Sequence, residues 1–296
     1  MRYLLNFTLL CSLLFANTID THYLSIKSWI AEQLKRLDIF LSDSNESIKQ
    51  RFSIRTSIDT ILETKQDAQF KFNIKANLEF PRTQKKLHLF IQDFKKRETI
   101  DETSGKNIQD SIDNTSFLFG LQYITFANLR YKAGIRFNKI TPDLFVAVGW
   151  EHTIYFHKHW LYFGDELRYF LDRKVDNKAF ANYQYKLSPI DIFSFENSYR
   201  YRQEPETEHQ FLHAVKIYRS MGERSLLVPR AEIYWFGSDR SSYRLGYFYL
   251  GFDYSNTFYR KWLFYQISPA VLWRYENDFA PSYRIMFRFG ITFEQN

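Results

Sequence analysis

The sequence predicts an all-β protein, a transmembrane antiparallel up-and-down β-barrel, and three observations predict this fold. Apolar or aromatic residues alternate with polar or charged residues in segment after segment. These segments run about 10 to 14 residues, whereas strands of globular proteins average about five or six. Aromatic residues make up 19% of the chain although its mean hydropathy is −0.41, as expected of strands with one apolar and one wet face.

The alternation is clear in three segments along the chain. Phe70 and Phe72 flank Lys71, and residues 127–138 and 282–294 continue the same pattern. Because successive side chains of a strand point to opposite faces, each segment has a ring-rich face and a charged face. At a tilt of about 40°, strands of this length cross the ~25 Å apolar band of an outer membrane. A large soluble lipid-binding barrel or jelly roll is the alternative that also alternates.

Fourteen segments are candidate strands, and residues 20–43 form a short N-terminal helix before them. The strands are 51–62, 69–80, 85–94, 115–124, 127–138, 143–155, 159–172, 178–187, 190–202, 209–219, 225–236, 242–254, 260–275 and 282–294. An even count suits a bacterial barrel whose two termini lie in the periplasm. The connections after strands two, four, six and eight are short, and the longest connection, 95–114, falls on the outward side. Twelve strands would also fit.

The N-terminus predicts an export signal over residues 1–16. Arg2 supplies a positive charge, 3–15 form an apolar core, and Ala16 precedes the expected cleavage site. A buried N-terminal helix is the alternative. A lipoprotein would use Cys11, but Leu10 before it is too bulky for a lipidation site. Cleavage after Ala16 would remove Cys11, the one cysteine of the chain.

Residues 17–48 form a predicted periplasmic helical segment, followed by the barrel domain over 49–296. Ile26, Ile30 and Leu34 repeat at the spacing of a helix face. This helix is expected to plug the barrel, to cap it or to lie beside it. A helix lying on a membrane interface is the alternative.

The formal charge of +7 is spread through the strands and shows no basic cluster of the nucleic-acid type. A solvated lumen is therefore the expected place for the charge, and rings of Arg or Lys there would favour anions. The alternative is that Arg–Glu ladders, such as Glu166 with Arg168 and Glu196 with Arg200, stabilise a polar interior. The lumen or selectivity candidates are Lys71, Lys75, Arg130, Lys132, Arg136, Glu151, Glu166, Arg168, Glu196, Arg200, Arg230, Glu232, Arg244, Arg284 and Arg288.

The histidines predict neither a metal site nor a catalytic dyad. On a strand, His157 and His159 share a face and His152 does not, and no Cys or carboxylate joins them at ligand spacing. An outer-membrane lipid esterase would need Ser and His on one face, but Val215 stands two residues after His213. No catalytic residue, metal or cofactor is therefore predicted, and an esterase is the third functional class.

The last strand resembles the C-terminal signature of Gram-negative outer-membrane barrels, in which aromatic or apolar residues alternate up to a terminal Phe. Phe287, Phe289, Ile291 and Phe293 match it, and three polar residues follow. Residues 78–87, after 37–43, are similar to a family of uncharacterised barrel proteins from Gram-negative bacteria. The resemblance covers about the first third of the chain; it implies location and no activity.

Together these features predict an integral outer-membrane protein, exported through the periplasm, that acts as a porin-like passive channel with an Arg-rich lumen for anionic or polar small solutes. The alternative is a non-conducting structural or interaction barrel plugged by its N-terminal helix. The expected partners are outer-membrane lipid and lipopolysaccharide, and the barrel-assembly machinery through the C-terminal strand. Nucleic acid is not expected, and the sequence leaves the oligomeric state open.

Overall fold

The computed structural model describes a helix and a closed sheet. The structure describes residues 2–42, 51–64, 66–80, 87–94, 116–125, 128–138, 141–171, 174–203, 207–239 and 241–295. Within the helix it describes the side chains of residues 18–40. Within these ranges helix α1 spans Arg2–Ser42, and a 3-10 turn spans Tyr275–Asn277. The fourteen described strands, β1 to β14 in chain order, are Phe52–Glu63, Gln69–Glu79, Leu87–Phe94, Ser116–Ile124, Leu129–Asn138, Thr141–Phe156, His159–Phe170, Lys174–Lys186, Asp191–Gln203, Thr207–Ser220, Ser225–Ser238, Ser241–Thr257, Leu263–Arg274 and Pro281–Gln295.

Each strand pairs antiparallel with the next, and β14 pairs with β1 to close the barrel. The closing pair is continuous, with Phe52 opposite Gln295 and Glu63 opposite Arg284. The predicted strand count of fourteen is confirmed, and twelve is excluded. We call the end at which β1 begins the helix end and the opposite end the loop end. The predicted long connection, 95–114, lies outside the described residues.

The two faces of the sheet differ in chemistry, as the alternation predicts. Asp59 and Lys71 line a cavity inside the barrel, whereas Ile58, Phe72 and Leu250 stand exposed on the outer wall. An exposed apolar wall around a polar interior is what lipid requires of a spanning sheet. The architecture is that of a transmembrane β-barrel.

Helix α1 is longer than predicted, because it begins at Arg2 rather than near residue 20 and so includes the predicted export signal. None of its described residues forms a segment long and apolar enough to cross a bilayer as a helix. Leu34 packs in a buried cluster with Phe52 and Phe80. Phe52 lies on the same face of β1 as the exposed Ile58, so this cluster is on the outer wall. A plug formed by residues 18–40 is therefore the wrong interpretation: this part of α1 lies beside the barrel.

Hydrogen bonds and stacked rings also join α1 to the barrel at its helix end. Asp20 accepts hydrogen bonds from the Tyr259 hydroxyl and from Arg260, whose Nη2 lies 2.9 Å away. The hydrogen bond to Asp20 raises the pKa of Arg260 above its ordinary value. The Tyr23 ring stacks on Trp262, with ring centres 4.3 Å apart, and on Phe293. These contacts join the helix to the β12–β13 connection and to the last strand.

Gly120 and Gly134 stand opposite each other on β4 and β5, where the two backbones approach closely. A Cβ atom at Gly134 would lie 2.1 Å from the Phe119 carbonyl oxygen, and one at Gly120 would lie 2.3 Å from the Ala133 carbonyl oxygen. Backbone atoms cannot move aside as the end of a side chain can, so neither position accepts a side chain without moving a strand.

We therefore expect Gly134→Ala to lower the free energy of unfolding by about 1–3 kcal/mol, the usual cost of overpacking. Urea titration of protein folded into lipid vesicles measures this change. Gly149→Ala is the graded control, because its Cβ would lie 3.0 Å from the nearest backbone oxygen. Equal effects of the two substitutions would contradict the explanation by close approach.

Candidate functional site: the barrel lumen

The barrel encloses a cavity of about 670 Å³. Strands β1, β2 and β7 to β14 contribute to its wall, so the cavity occupies one side of the lumen. Its charged lining residues are Asp59, Lys71, Lys178, Glu196, Lys216, Arg230, Glu232, Asp253, Arg284 and Arg288. The cavity is therefore a space within the polar interior, bordered by side chains of both charges.

Glu63 is the centre of a buried charge cluster near the loop end. Its carboxylate accepts hydrogen bonds from Arg274, from Arg284 and from the Ser282 hydroxyl. The Glu63 side chain is only 1% exposed, and both arginines are nearly as buried. Since β1 supplies the acid and β13 and β14 supply the bases, this cluster ties the first strand to the last two.

A second pair crosses the same closing seam nearer the middle of the barrel. Arg288 binds Asp59 through two parallel hydrogen bonds of 2.7 Å. Two-pronged contacts of this kind fix geometry as well as charge. The seam between β1 and β14 therefore carries charged contacts in addition to its backbone ladder.

Asp176 gathers three arginines on the opposite wall. Arg200 donates to both of its oxygens, at 2.9 and 2.6 Å. Arg168 and Arg202 lie 3.8 and 3.7 Å from the same carboxylate. One acid shared by three bases leaves this wall, formed by β7 to β9, with an excess of positive charge.

Strands β5 to β7 carry a ladder of ion pairs. Glu166 accepts hydrogen bonds from Lys132 and Arg168. Farther toward the helix end, Glu151 pairs with Arg130 and accepts a hydrogen bond from the Tyr162 hydroxyl. Toward the loop end, Arg136 binds Asp143 at 2.6 Å. The expected pair of Glu166 with Arg168 is present.

The expected pair of Glu196 with Arg200 is absent, because each residue has a partner on a neighbouring strand instead. Glu196 binds Lys216 at 2.6 Å and the Tyr218 hydroxyl at 2.9 Å, both on β10, while Arg200 binds Asp176 on β8. Residues four apart on a strand share a face but lie about 13 Å apart, so the cross-strand neighbour is closer. Sequence spacing alone does not reveal that neighbour.

Arg230 and Glu232 form a further group on β11. The Arg230 guanidinium lies 3.1 Å from Glu232, 3.4 Å from Asp253 and 2.9 Å from the Tyr249 hydroxyl. It also lies over the Tyr249 ring. Arg230 therefore has two acids and a ring around it at the edge of the cavity.

Three further candidates lie on β2 and β12. Lys71 stands opposite Asp59 in the pairing of β1 with β2. Both residues line the cavity, so Lys71 lies on the inner face. Lys75 lies between Arg55 and Gln92 in the strand register. Arg244 is exposed near the loop end, where it lies over the Tyr275 ring.

Several acidic and basic lumen residues were not predicted individually. They are Asp59, Glu63, Asp143, Asp176, Lys178, Lys216 and Asp253. Each lies on the inner face, because it is an even number of positions along its strand from another inward-facing residue. The alternation of side chains along the strands therefore identifies these residues as lumen residues. Without the strand register, however, the alternation does not assign partners.

Aromatic residues also occupy the lumen, which corrects the predicted separation of each strand into a ring-rich face and a charged face that lines the lumen. Phe90, Leu118, Phe145, Ala147 and Phe170 form a buried cluster. Their outward neighbours Leu144 and Val146 are exposed, so the cluster lies inside. A second inner cluster, packed on β11 to β13, contains Tyr234, Tyr247, Tyr249, Ala270 and Leu272. The first cluster fills the side of the lumen that the cavity leaves free.

Cations cover the rings of the first cluster. The Arg136 guanidinium lies 4.1 Å from the centre of the Phe170 ring, and Lys132 and Arg168 lie over Phe90 and Phe145. A cation over a ring face is attracted by the negative charge of the π-system. This contact explains why charged residues and rings share one wall.

The histidines form no constellation for metal or nucleophilic chemistry among the described residues. No three His, Cys, Asp or Glu side chains come together there as metal ligands would. The Nδ1–H of His213 donates a 2.7 Å hydrogen bond to the Asn197 Oδ1, but its cross-strand neighbours are Asn197 and Ile233, and neither is a nucleophile. His159 stacks on Tyr185.

The barrel is similar in shape to solved outer-membrane proteins. A bacterial polysaccharide outer membrane secretin matches with a TM-score of 0.47 and 10% identity, over 82% of this chain and 97% of its own. OmpTdeltaL8, a loop-deletion mutant of OmpT from Vibrio cholerae, matches with a TM-score of 0.44 and 10% identity, over 82% and 99%. The NanC porin matches with a TM-score of 0.42 and 6% identity, over 81% and 100%.

Neither a protein-family model nor a curated protein matches the sequence. At 10% identity or less, the likeness concerns the barrel and not the residues of its lumen.

Proposed function

We propose that this chain is an integral outer-membrane barrel whose lumen passes small anionic or polar solutes. The helix end lies in the periplasm and the loop end faces the cell exterior. The apolar outer wall contacts lipid and, in the outer leaflet, lipopolysaccharide. The outward-facing rings of β14, including Phe287 and Phe289, are exposed and provide the surface that the barrel-assembly machinery would bind.

The observation that carries the proposal is the charge of the inner wall. Among the described strands, basic side chains on the inner face outnumber acidic ones. The basic ones are Arg55, Lys71, Lys75, Arg130, Lys132, Arg136, Arg168, Lys174, Lys178, Lys186, Arg200, Arg202, Lys216, Arg230, Arg244, Arg274, Arg284 and Arg288; the acidic ones are Asp59, Glu63, Glu79, Asp143, Glu151, Glu166, Asp176, Glu196, Glu208, Glu232, Asp253 and Glu294. An excess of fixed positive charge attracts anions and repels cations.

Purified protein in a planar lipid bilayer tests the proposal. Under a KCl gradient, we expect discrete channel currents. Their reversal potential should be shifted toward the equilibrium potential of chloride and away from that of potassium. Neutralising two cavity cations, in Lys71→Gln/Lys178→Gln, should lower the chloride-to-potassium permeability ratio by about twofold. The matched control is Lys35→Gln/Arg36→Gln, which removes the same charge from the exposed side of α1. Cation selectivity of the unmodified protein would contradict the proposal.

A non-conducting barrel is the second candidate, and the inner ring cluster favours it. The cluster around Phe145 and Phe170 fills one side of the lumen, and ion pairs such as Lys132 with Glu166 and Arg200 with Asp176 hold side chains on the adjoining wall. In this case the lumen would be closed by its own side chains, since the described part of α1 lies outside. The absence of currents from folded, membrane-inserted protein would support this candidate.

A further inference from the structure

Helix α1 runs around the outside of the barrel at its helix end. Tyr23 stacks on Trp262 and Phe293, beside β13 and β14, whereas Leu34 packs with Phe52 of β1 and Phe80 after β2. From Tyr23 to Leu34 the helix advances about 16 Å, and neighbouring strands lie about 4.8 Å apart. The helix therefore crosses the strands sideways, including the seam where β1 meets β14.

A helix that crosses strands sideways lies roughly in the plane of the membrane that the strands span. In this position one side faces the barrel, one side faces the lipid and the opposite side faces water. The distribution of side chains around α1 can be compared with this geometry.

The barrel side of α1 contains Tyr23, Ile30, Ala31 and Leu34, which are at least partly buried. Next to it lies an exposed apolar stripe, within an arc of about 80° at 3.6 residues per turn. The apolar residues of the stripe are Ile19, Ile26, Trp29, Leu37 and Phe40, and the exposed His22 and Gln33 lie between them. Trp29 is 63% exposed and Phe40 is 81% exposed, so the barrel does not cover them.

The remaining side of α1 is polar. It carries Thr21, Ser28, Glu32, Lys35 and Arg36, all exposed, together with one exposed Leu24. Glu32 and Arg36 form an ion pair with both side chains half or more exposed. Exposed charges of this kind belong in water.

The contacts of α1 show which side is turned toward the membrane. Asp20, on the polar flank of the barrel side, binds Tyr259 and Arg260 in the connection beyond the strands. Tyr23, on the flank next to the apolar stripe, contacts β14 itself, where its hydroxyl donates to the Thr292 carbonyl. The stripe therefore lies on the side of α1 that is turned toward the strands and away from the connections beyond their ends. The exposed apolar wall of the barrel, including Ile58 and Phe289, adjoins this side.

We infer that the apolar stripe of α1 is embedded in the periplasmic leaflet of the outer membrane, so that α1 is an interfacial helix continuous with the lipid-facing wall. Amphipathic helices of this kind bury their apolar face at the boundary between headgroups and acyl chains. The inference rests on the proposed membrane location. The occupant of the stripe is phospholipid, because the stripe extends a wall that lipid already covers.

Site-directed spin labelling tests the inference on the full chain folded into phospholipid vesicles. Single cysteines are introduced in a Cys11→Ser background at Trp29→Cys and Phe40→Cys on the stripe. Lys35→Cys, about 160° around the helix from the middle of the stripe, is the matched control on the polar side of the same helix, and Leu250→Cys is the control on the barrel wall. The accessibility of each nitroxide to oxygen, which concentrates in lipid, and to a water-soluble nickel chelate is then measured.

We expect the ratio of oxygen to nickel accessibility at positions 29 and 40 to approach that at position 250 and to exceed that at position 35 by about threefold or more. High nickel accessibility at 29 and 40 would overturn the inference. Protection from both reagents would also overturn it, since a protein would then cover the stripe. A water-exposed label at position 250 would instead contradict the membrane location itself.

Discussion

Glu63→Gln should lower the free energy of unfolding by about 3–5 kcal/mol, because it leaves two buried arginines without their counter-charge. Arg274 and Arg284 both bind the Glu63 carboxylate, and all three side chains are at most 5% exposed. Urea titration in lipid vesicles gives the free energy, and the shift between folded and unfolded bands on an unheated gel gives an independent measure.

Glu32→Gln is the matched control for this experiment. It removes the same charge from the exposed pair with Arg36 on α1, where ion pairs contribute about 0–1 kcal/mol. If the two substitutions had similar effects, Glu63 would contribute no more than a surface pair, and the closing seam would depend on its backbone hydrogen bonds alone.

Phe145→Ala/Phe170→Ala should raise the single-channel conductance by about twofold or more, because apolar constrictions exclude water and ions from a lumen. The two rings belong to the inner cluster, which fills the side of the lumen away from the cavity. Their removal opens a second path along β5 to β7, bordered by Arg136 and Arg168. Because both residues are basic, the added current should also be carried by anions.

Phe72→Ala is the control, since it truncates the same side chain on the outer wall, where Phe72 is exposed. Its conductance should equal that of the unmodified protein. The double variant must first show heat-modifiable migration, which proves that it is folded. Unchanged conductance in a folded double variant would show that the inner cluster does not limit the current.

The sequence predicts the barrel well because alternation is a local property. Each of the fourteen segments could be recognised from its own residues, as with Phe70, Lys71 and Phe72, and closure follows from the need to leave no strand edge in lipid. Where apolar residues occupy both faces, as from Leu144 to Val148, the alternation is weaker, and the inward position of Phe145 was missed.

Two other features depend on contacts between distant residues. The partners of Glu196 and Arg200 are set by strand register, which no single segment contains. The position of α1 was also left open, because an apolar helix face such as that of Ile30 and Leu34 fits the outer wall as well as a lumen. Side-chain pattern identifies the surfaces, and only the folded chain shows which ones meet.

The pairing of β1 with β14 has a consequence for the order of events during biogenesis. Phe52 must find Gln295, almost the full length of the barrel sequence away, so the contact that completes the fold is also among the last that can form. Contacts between distant residues slow folding, and until this one forms both outer strands expose unpaired backbone groups, which invite aggregation. A chain interrupted before β14 would thus hold thirteen strands and no usable barrel. We expect such fragments to be degraded rather than inserted.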